Sequence, residues 1–261
     1  MNRYDNRRAI VTGAGSGIGQ ATALRLLDEG AHVVGVDVSQ AGLDDTCEKA
    51  TAHGDRLSVQ VVDVADEASV VDGVAQAVAA LGGLDVLVNA AGILRSGHSH
   101  DVSLDAFERV IRVNLTGTFL MIRESVPALL AGSAPAVVNF SSTSASFAHP
   151  YMAAYAASKG GIQSMTHTLA AEYAKQGIRF TAVQPGSISS GMTAGVGESK
   201  QSMGPGLPED ADMSLFMKLG PALQQGFAGP EAVASVVAML ASEDGAFITG
   251  TEVRIDGGTH F

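Results

Sequence analysis

The sequence contains no tryptophan, a single cysteine and few basic residues. Each shortage excludes something. With Cys47 alone, no intrachain disulfide can form, which fits a reducing compartment and makes a cytoplasmic location the expectation. Lysine and arginine number 16 against 27 aspartates and glutamates, a formal net charge of −11. Binding to a phosphate backbone needs a basic surface, so no nucleic-acid partner is expected. No run of eighteen apolar residues occurs, so no membrane span is expected either. The opening stretch MNRYDNRRAIVTG has positive charges but neither an apolar segment nor a cleavage site, so no secretory leader is expected.

What is present points to a folded chain. Hydrophobic residues make up 46% and charged residues 16%, which excludes global disorder and permits a large core. At 261 residues the chain suits one large α/β domain. Short β-branched runs at 8–13, 31–37, 57–64, 84–92, 135–142, 178–186 and 251–258 read as strands. Alanine- and leucine-rich segments at 17–29, 40–52, 66–81, 103–130 and 152–175 read as helices. The strands are almost continuously apolar, as strands buried on both faces must be. The alternation predicts a single α/β domain built on a doubly wound, Rossmann-type parallel sheet of seven strands with helices on both faces. The stretch 187–227 is rich in glycine, proline and methionine. Coming directly after a strand's carboxyl end, it reads as a lid over a substrate.

The first strand runs into TGAGSGIG, with Gly13, Gly17 and Gly19 between a strand and a helix. Glycines there permit a tight turn and close approach of a pyrophosphate to the helix N-terminus. The second strand ends at Asp37. A carboxylate at that place accepts hydrogen bonds from the adenosine ribose and repels a 2′-phosphate. Val38 and Ser39 follow, and neither welcomes a phosphate, so NAD(H) is expected over NADP(H). Asp63 ends the third strand and Asn89 the fourth, both at the ligand-bearing edge and expected on the adenine side.

Tyr155 and Lys159, in YAASKGG, are four residues apart and share one helix face. Ser141 and Ser142 end the fifth strand about ten residues before that helix. A phenol can exchange a proton with an alcohol if its pKa, normally about 10, is lowered toward working pH. An ammonium one turn away would do this. A serine hydroxyl would hold the substrate oxygen. Asn114, buried in a helix, is expected to hold a water that links Lys159 to solvent.

TGAGSGIG, NAAG, Asn114, Ser142, YAASK, PGSI and ITGTEVRIDGG, in this order from about residue 8 to 258, resemble the single-domain branch of the short-chain dehydrogenase/reductase family. The resemblance implies a catalytic tetrad of Asn114, Ser142, Tyr155 and Lys159, with Lys159 also bonding the nicotinamide ribose. It implies that Gly13, Ser16, Gly17, Ile18 and Gly19 lie by the phosphates and ribose, and that Asp63 and Val64 flank adenine. Asp37, Val38, Asn89, Ala90 and Gly92 complete that side, and Pro185, Gly186, Ile188 and Ser190 cradle the nicotinamide. It further implies a homotetramer that pairs the helices at 103–130 and 152–175. Ala90 stands where many members have a second asparagine, and Ser190 where threonine is usual.

The substrate is expected to be a small secondary alcohol or ketone. It would meet Leu94, Ser142, Ser144, His149, Tyr155, Ser187 and Met192. One alternative is an NADPH-dependent 3-oxoacyl-thioester reductase, against which Asp37 counts. Another is a catalytically silent cofactor-binding regulator, against which the intact tetrad counts. His98, His100 and Asp101 lie close in sequence, but no further ligand cluster accompanies them and no metal is expected.

Overall fold

Runs of valine, isoleucine and alanine that cannot face water on either side pair into one seven-stranded parallel sheet. The computed structural model describes residues 2–189, 206–223 and 226–260. The strands are β1 (Arg8–Thr12), β2 (His32–Asp37), β3 (Leu57–Val61), β4 (Val86–Asn89), β5 (Ala136–Phe140), β6 (Arg179–Pro185) and β7 (Thr251–Ile255). Their order in the sheet is β3-β2-β1-β4-β5-β6-β7. The connections reverse direction between β1 and β4, and the crevice there is where a doubly wound sheet binds its ligand.

The helices are α1 (Gly17–Asp28), α2 (Gln40–Lys49), α3 (Glu67–Leu81), α4 (Leu104–Ile111), α5 (Gly117–Leu129), α6 (Ala153–Tyr173) and α7 (Pro230–Ala241). Leu26 and Leu27 of α1 and Val233 and Val237 of α7 pack on one face of the sheet. Val70 and Val74 of α3, Leu120 and Met121 of α5 and Ala170 of α6 pack on the other. The sheet is thus covered on both sides, as its apolar strands require.

Several boundaries differ from the sequence reading. The helix expected over 103–130 is two helices joined by a π-helical turn, Arg112–Thr116, which carries Asn114. A π turn opens the hydrogen-bond ladder by one residue and re-aims the side chains on it. Gly117 follows because a Cβ there would stand 2.8 Å from the carbonyl oxygen of Val64. The third strand ends at Val61 rather than 64, so Asp63 and Val64 lie in the turn beyond it. Helix α7 is an addition: no helix is read there from sequence, yet Gly229 caps it and Pro230 takes its first turn, where a missing N–H costs nothing. Within the expected lid, Met213–Leu219 forms a 3₁₀ helix, and Ile188 bridges to Ala228. Ser190 and Met192, and with them Gly191, Gly195, Gly197, Met203, Gly204 and Pro205, lie outside the described residues.

Candidate active site

The turn after β1 fits a pyrophosphate for steric reasons. Gly13 has φ +70°, and a Cβ there would press on Ala90 and Ala91 at the end of β4. A Cβ on Gly19 would stand 2.1 Å from the carbonyl oxygen of Gly13, so only glycine lets α1 start this close to the strand. Ser16 is the N-cap of α1, is exposed, and makes no side-chain cap. The first-turn N–H groups therefore have no side-chain acceptor, as an anion site at a helix N-terminus requires. Ile18 packs against the core beneath them.

Asp37 closes β2. Its Oδ2 accepts from the Gly15 N–H at 3.1 Å and its Oδ1 from the Ser39 N–H at 2.9 Å, which fixes the carboxylate beside the glycine turn. Val38 beside it is exposed. Asp63 accepts from the Ala65 N–H at 2.9 Å, so its carboxylate shapes the turn after β3. The Val64 side chain is buried against Gly117. Asn89 does not face the ligand edge as its place at the strand end suggests. It is 2% exposed, and its Nδ2 donates to Asn139 Oδ1 at 2.9 Å. Asn139 in turn donates to Thr166 Oγ1 at 3.0 Å. The parallel register sets Asn89 opposite Asn139 and turns both into a buried ladder between β4, β5 and α6.

The catalytic candidates converge at the end of β5. Lys159 is 4% exposed. Its Nζ donates to the Phe140 carbonyl at 2.7 Å and stands 5.5 Å from the centroid of the Tyr155 ring. Ser141 Oγ donates to the Lys159 carbonyl at 3.0 Å, which ties the strand end to the helix. Ser142 Oγ accepts from the Ser144 N–H at 3.2 Å. Burial pushes the Lys159 pKa down to about 8. Burial also raises Tyr155 above its ordinary value, and the Ser142 hydroxyl opposes the rise. The sequence reading expects a lowered phenol. In the protein alone desolvation is the largest influence on both groups.

Asn114 is fully buried, and its amide is committed to neighbouring protein groups. Oδ1 accepts from the Ile93 N–H at 2.8 Å, and Nδ2 donates to the Ile93 carbonyl at 2.9 Å and to Ser158 Oγ at 3.0 Å. Ser158 Oγ donates to the Tyr155 carbonyl at 2.7 Å. Both amide hydrogens are thus committed to holding the strand end and the tyrosine's turn together. A Cβ on Gly92 would lie 3.2 Å from Asn114 Oδ1 and 3.6 Å from Lys159 Nζ, so this glycine keeps the space between them open.

Among the residues expected to cradle a nicotinamide, the Gly186 N–H donates to the Ile255 carbonyl, which sets the turn after Pro185, and Ile188 is buried. Ser187 Oγ donates to the Leu219 carbonyl at 3.5 Å. Among the residues expected to meet a substrate, Leu94 is half-buried and Ser144 is 5% exposed with no partner for its hydroxyl. His149 is half-buried, with Nδ1 against the Phe147 carbonyl at 3.1 Å and Nε2 against Thr143 Oγ1 at 3.4 Å. Burial lowers its pKa, which favours the neutral ring.

A contact set absent from the sequence reading ties His98 and Tyr151 to residues 210–216. His98 Nε2 pairs with Asp210 Oδ1 at 2.9 Å. The Asp212 N–H donates to the Tyr151 hydroxyl at 2.9 Å, and the Tyr151 ring stacks on Phe216. Tyr151 adopts φ +65°, rare for a residue with a Cβ. Glu252 accepts from Gln163 at 2.7 Å and pairs with His167 at 2.7 Å.

A family model for short chain dehydrogenases matches residues 7–201. The cyclohexanol dehydrogenase of Acinetobacter sp. (strain SE19) is 35% identical over 257 residues, spanning 98% of this chain and 96% of its own length. The 3-oxoacyl-(acyl-carrier-protein) reductase of Thermotoga maritima is 35% identical over 256 residues, spanning 98% of both chains. Two solved structures share the fold. A Mycobacterium paratuberculosis short chain dehydrogenase bound to NAD gives a TM-score of 0.88 at 29% identity, covering 98% of each chain. A Burkholderia cenocepacia short chain dehydrogenase in complex with NADP gives 0.85 at 32% identity, covering 99% of each.

Proposed function

The chain belongs to the short chain dehydrogenase family, and from that premise we propose that it is an NAD(H)-dependent oxidoreductase that interconverts a small secondary alcohol and its ketone. The observation that carries this reading is the convergence of Ser142, Tyr155 and Lys159 at the end of β5, with Lys159 Nζ 5.5 Å from the Tyr155 ring. The nicotinamide, when bound, takes the hydride from the alcohol carbon or returns it to the ketone. The phosphates would lie on the N–H groups of the Gly13–Gly19 turn, and the adenosine ribose on Asp37. Adenine would lie by Asp63 and the Val64 backbone.

Tyr155 takes the hydroxyl proton as the alcohol is oxidised and gives it back on reduction. Ser142 holds the substrate oxygen and can donate to it as negative charge develops there. Lys159 keeps a positive charge beside the phenol, which lowers the cost of the phenolate. Asn114 fixes the turn that carries Tyr155.

Relatives bound to NAD and to NADP are almost equally similar, so likeness leaves the cofactor open, and the placement of Asp37 supports NAD. Similarity leaves the substrate open in the same way, because an alcohol dehydrogenase and a thioester reductase are both 35% identical to this chain. Leu115, Phe119, Gly161, Met165 and Leu169 line an apolar groove between α5 and α6, and Phe119 is 46% exposed. This groove supports assembly into a homotetramer through those helices. Light scattering on Phe119→Asp would then show smaller particles than the parent.

The test of the central reading is a pair of measurements. Titration with NADH and NADPH by nucleotide fluorescence should favour NADH, and preference for NADPH would move the thioester reductase forward. Tyr155→Phe should still bind NADH and should lose turnover of secondary alcohols by about a thousandfold. Retained turnover would remove Tyr155 from the role.

A further inference from the structure

The His260 ring stacks on Phe147 with ring centroids 4.0 Å apart and planes 7° from parallel. The guanidinium of Arg254 stands 5.3 Å from the same Phe147 ring, and the His149 ring is 6.0 Å from His260. The tail is held in place. Asp256 accepts from the Gly258 N–H at 2.9 Å and from the His260 N–H at 3.3 Å. The Gly257 carbonyl accepts from the Leu223 N–H at 2.9 Å. Phe147 and His149 belong to the segment that leaves the catalytic serine, so this segment and the tail form one wall.

Two polar atoms on that wall are buried without a partner: His260 Nε2 and Ser144 Oγ. Ser144 is two residues from Ser142 and donates its N–H to the Ser142 hydroxyl. An unpaired buried polar atom is costly and calls for an explanation, and beside the catalytic serine a ligand group is one that fits. We propose that His260 is a specificity-determining residue which, with Ser144, takes a second hydroxyl group of the substrate, remote from the carbon that reacts. A hydroxyl both donates and accepts, so it can pair with the serine and with either tautomer of a neutral imidazole. This inference rests on the oxidoreductase reading of Ser142 and Tyr155. It adds a substrate carrying two oxygens, of which only one is changed.

Full-length Tyr155→Phe, loaded with NADH, separates binding from turnover. It is titrated with cyclohexanone and with 4-hydroxycyclohexanone, followed by nucleotide fluorescence. The hydroxylated ketone should bind about tenfold more tightly. His260→Phe preserves the stack on Phe147 and removes the ring nitrogens, and in it the preference should vanish. His260→Gln keeps a donor and an acceptor and should retain most of it. Equal binding of the two ketones, binding of neither, or a preference that survives His260→Phe would overturn the proposal, as would its loss in His260→Gln. Failure of the oxidoreductase reading shows separately, as wild-type protein that oxidises neither cyclohexanol nor 1,4-cyclohexanediol.

Discussion

Lys159 Nζ stands 5.5 Å from the centroid of the Tyr155 ring while donating to the Phe140 carbonyl, so one ammonium both braces the strand end and faces the phenol. The two groups are pushed toward their neutral forms by the same dry surroundings. Lys159→Met removes the charge and keeps the bulk. Its rate of alcohol oxidation should fall about a hundredfold, and the rising limb of kcat/KM against pH should move to higher pH. A limb that stays where it is would show that Lys159 does not tune the phenol.

The lowered Lys159 pKa also makes stability depend on pH. The folded pKa is about 8 and the ordinary value 10.5. Between these the unfolded chain binds the proton and the folded chain releases it. The contribution of this group to stability therefore rises as pH increases from 8 toward 10.5, by at most about 3 kcal/mol. Tyr155 acts oppositely above about pH 10, because its raised pKa keeps the folded phenol protonated. Urea unfolding at pH 7.5, 8.5 and 9.5 should show the rise in wild type and its absence in Lys159→Met.

The Asp37 carboxylate is held by the Gly15 and Ser39 N–H groups beside the phosphate turn. Asp37→Ser removes the charge that would oppose a 2′-phosphate. The ratio of NADPH to NADH affinity should rise roughly ten- to a hundredfold, equivalent to about 1.4–3 kcal/mol. Fluorescence titration with both nucleotides decides it, and an unchanged ratio would place the selector elsewhere.

Asn114→Ala leaves the Ile93 N–H and carbonyl without their partner, in a fully buried place. The cost should be about 3 kcal/mol, with Tm lower by roughly 10 °C. Turnover should fall more than NADH affinity, because Ser158, and with it the turn bearing Tyr155, then loses its link through Asn114 to Ile93. Calorimetry showing an unaltered Tm would contradict the clamp.

The contacts of His98 with Asp210 and of Tyr151 with Asp212, in the stretch proposed as a lid, are exposed and therefore individually weak. Tyr151→Ala removes the acceptor for the Asp212 N–H and the stack on Phe216 together. The KM for alcohol should rise about fivefold with NADH affinity little changed. A parallel loss of NADH affinity would mean that the contact supports the whole site and not the lid.

Much of the sheet was legible because strands buried on both faces leave unbroken apolar runs, and the ligand edge followed from where those runs end. Asn89 misled, because a residue's place at a strand end does not say which way it points. Its partner, Asn139, is fixed by register, which no local pattern encodes. The π turn at Asn114 was hidden inside a good helical periodicity. The pairings of His98 with Asp210 and of Phe147 with His260 join segments more than a hundred residues apart, which only the folded chain brings together.

The amide of Asn114 grips both backbone groups of Ile93, one residue before the segment that runs through Leu94 to His100. That grip acts as a fixed datum. Residues beyond it can be lengthened, shortened or replaced without displacing Gly92, Lys159 or Tyr155. Such an arrangement lets descendants of one ancestor exchange substrates while inheriting the reaction unaltered.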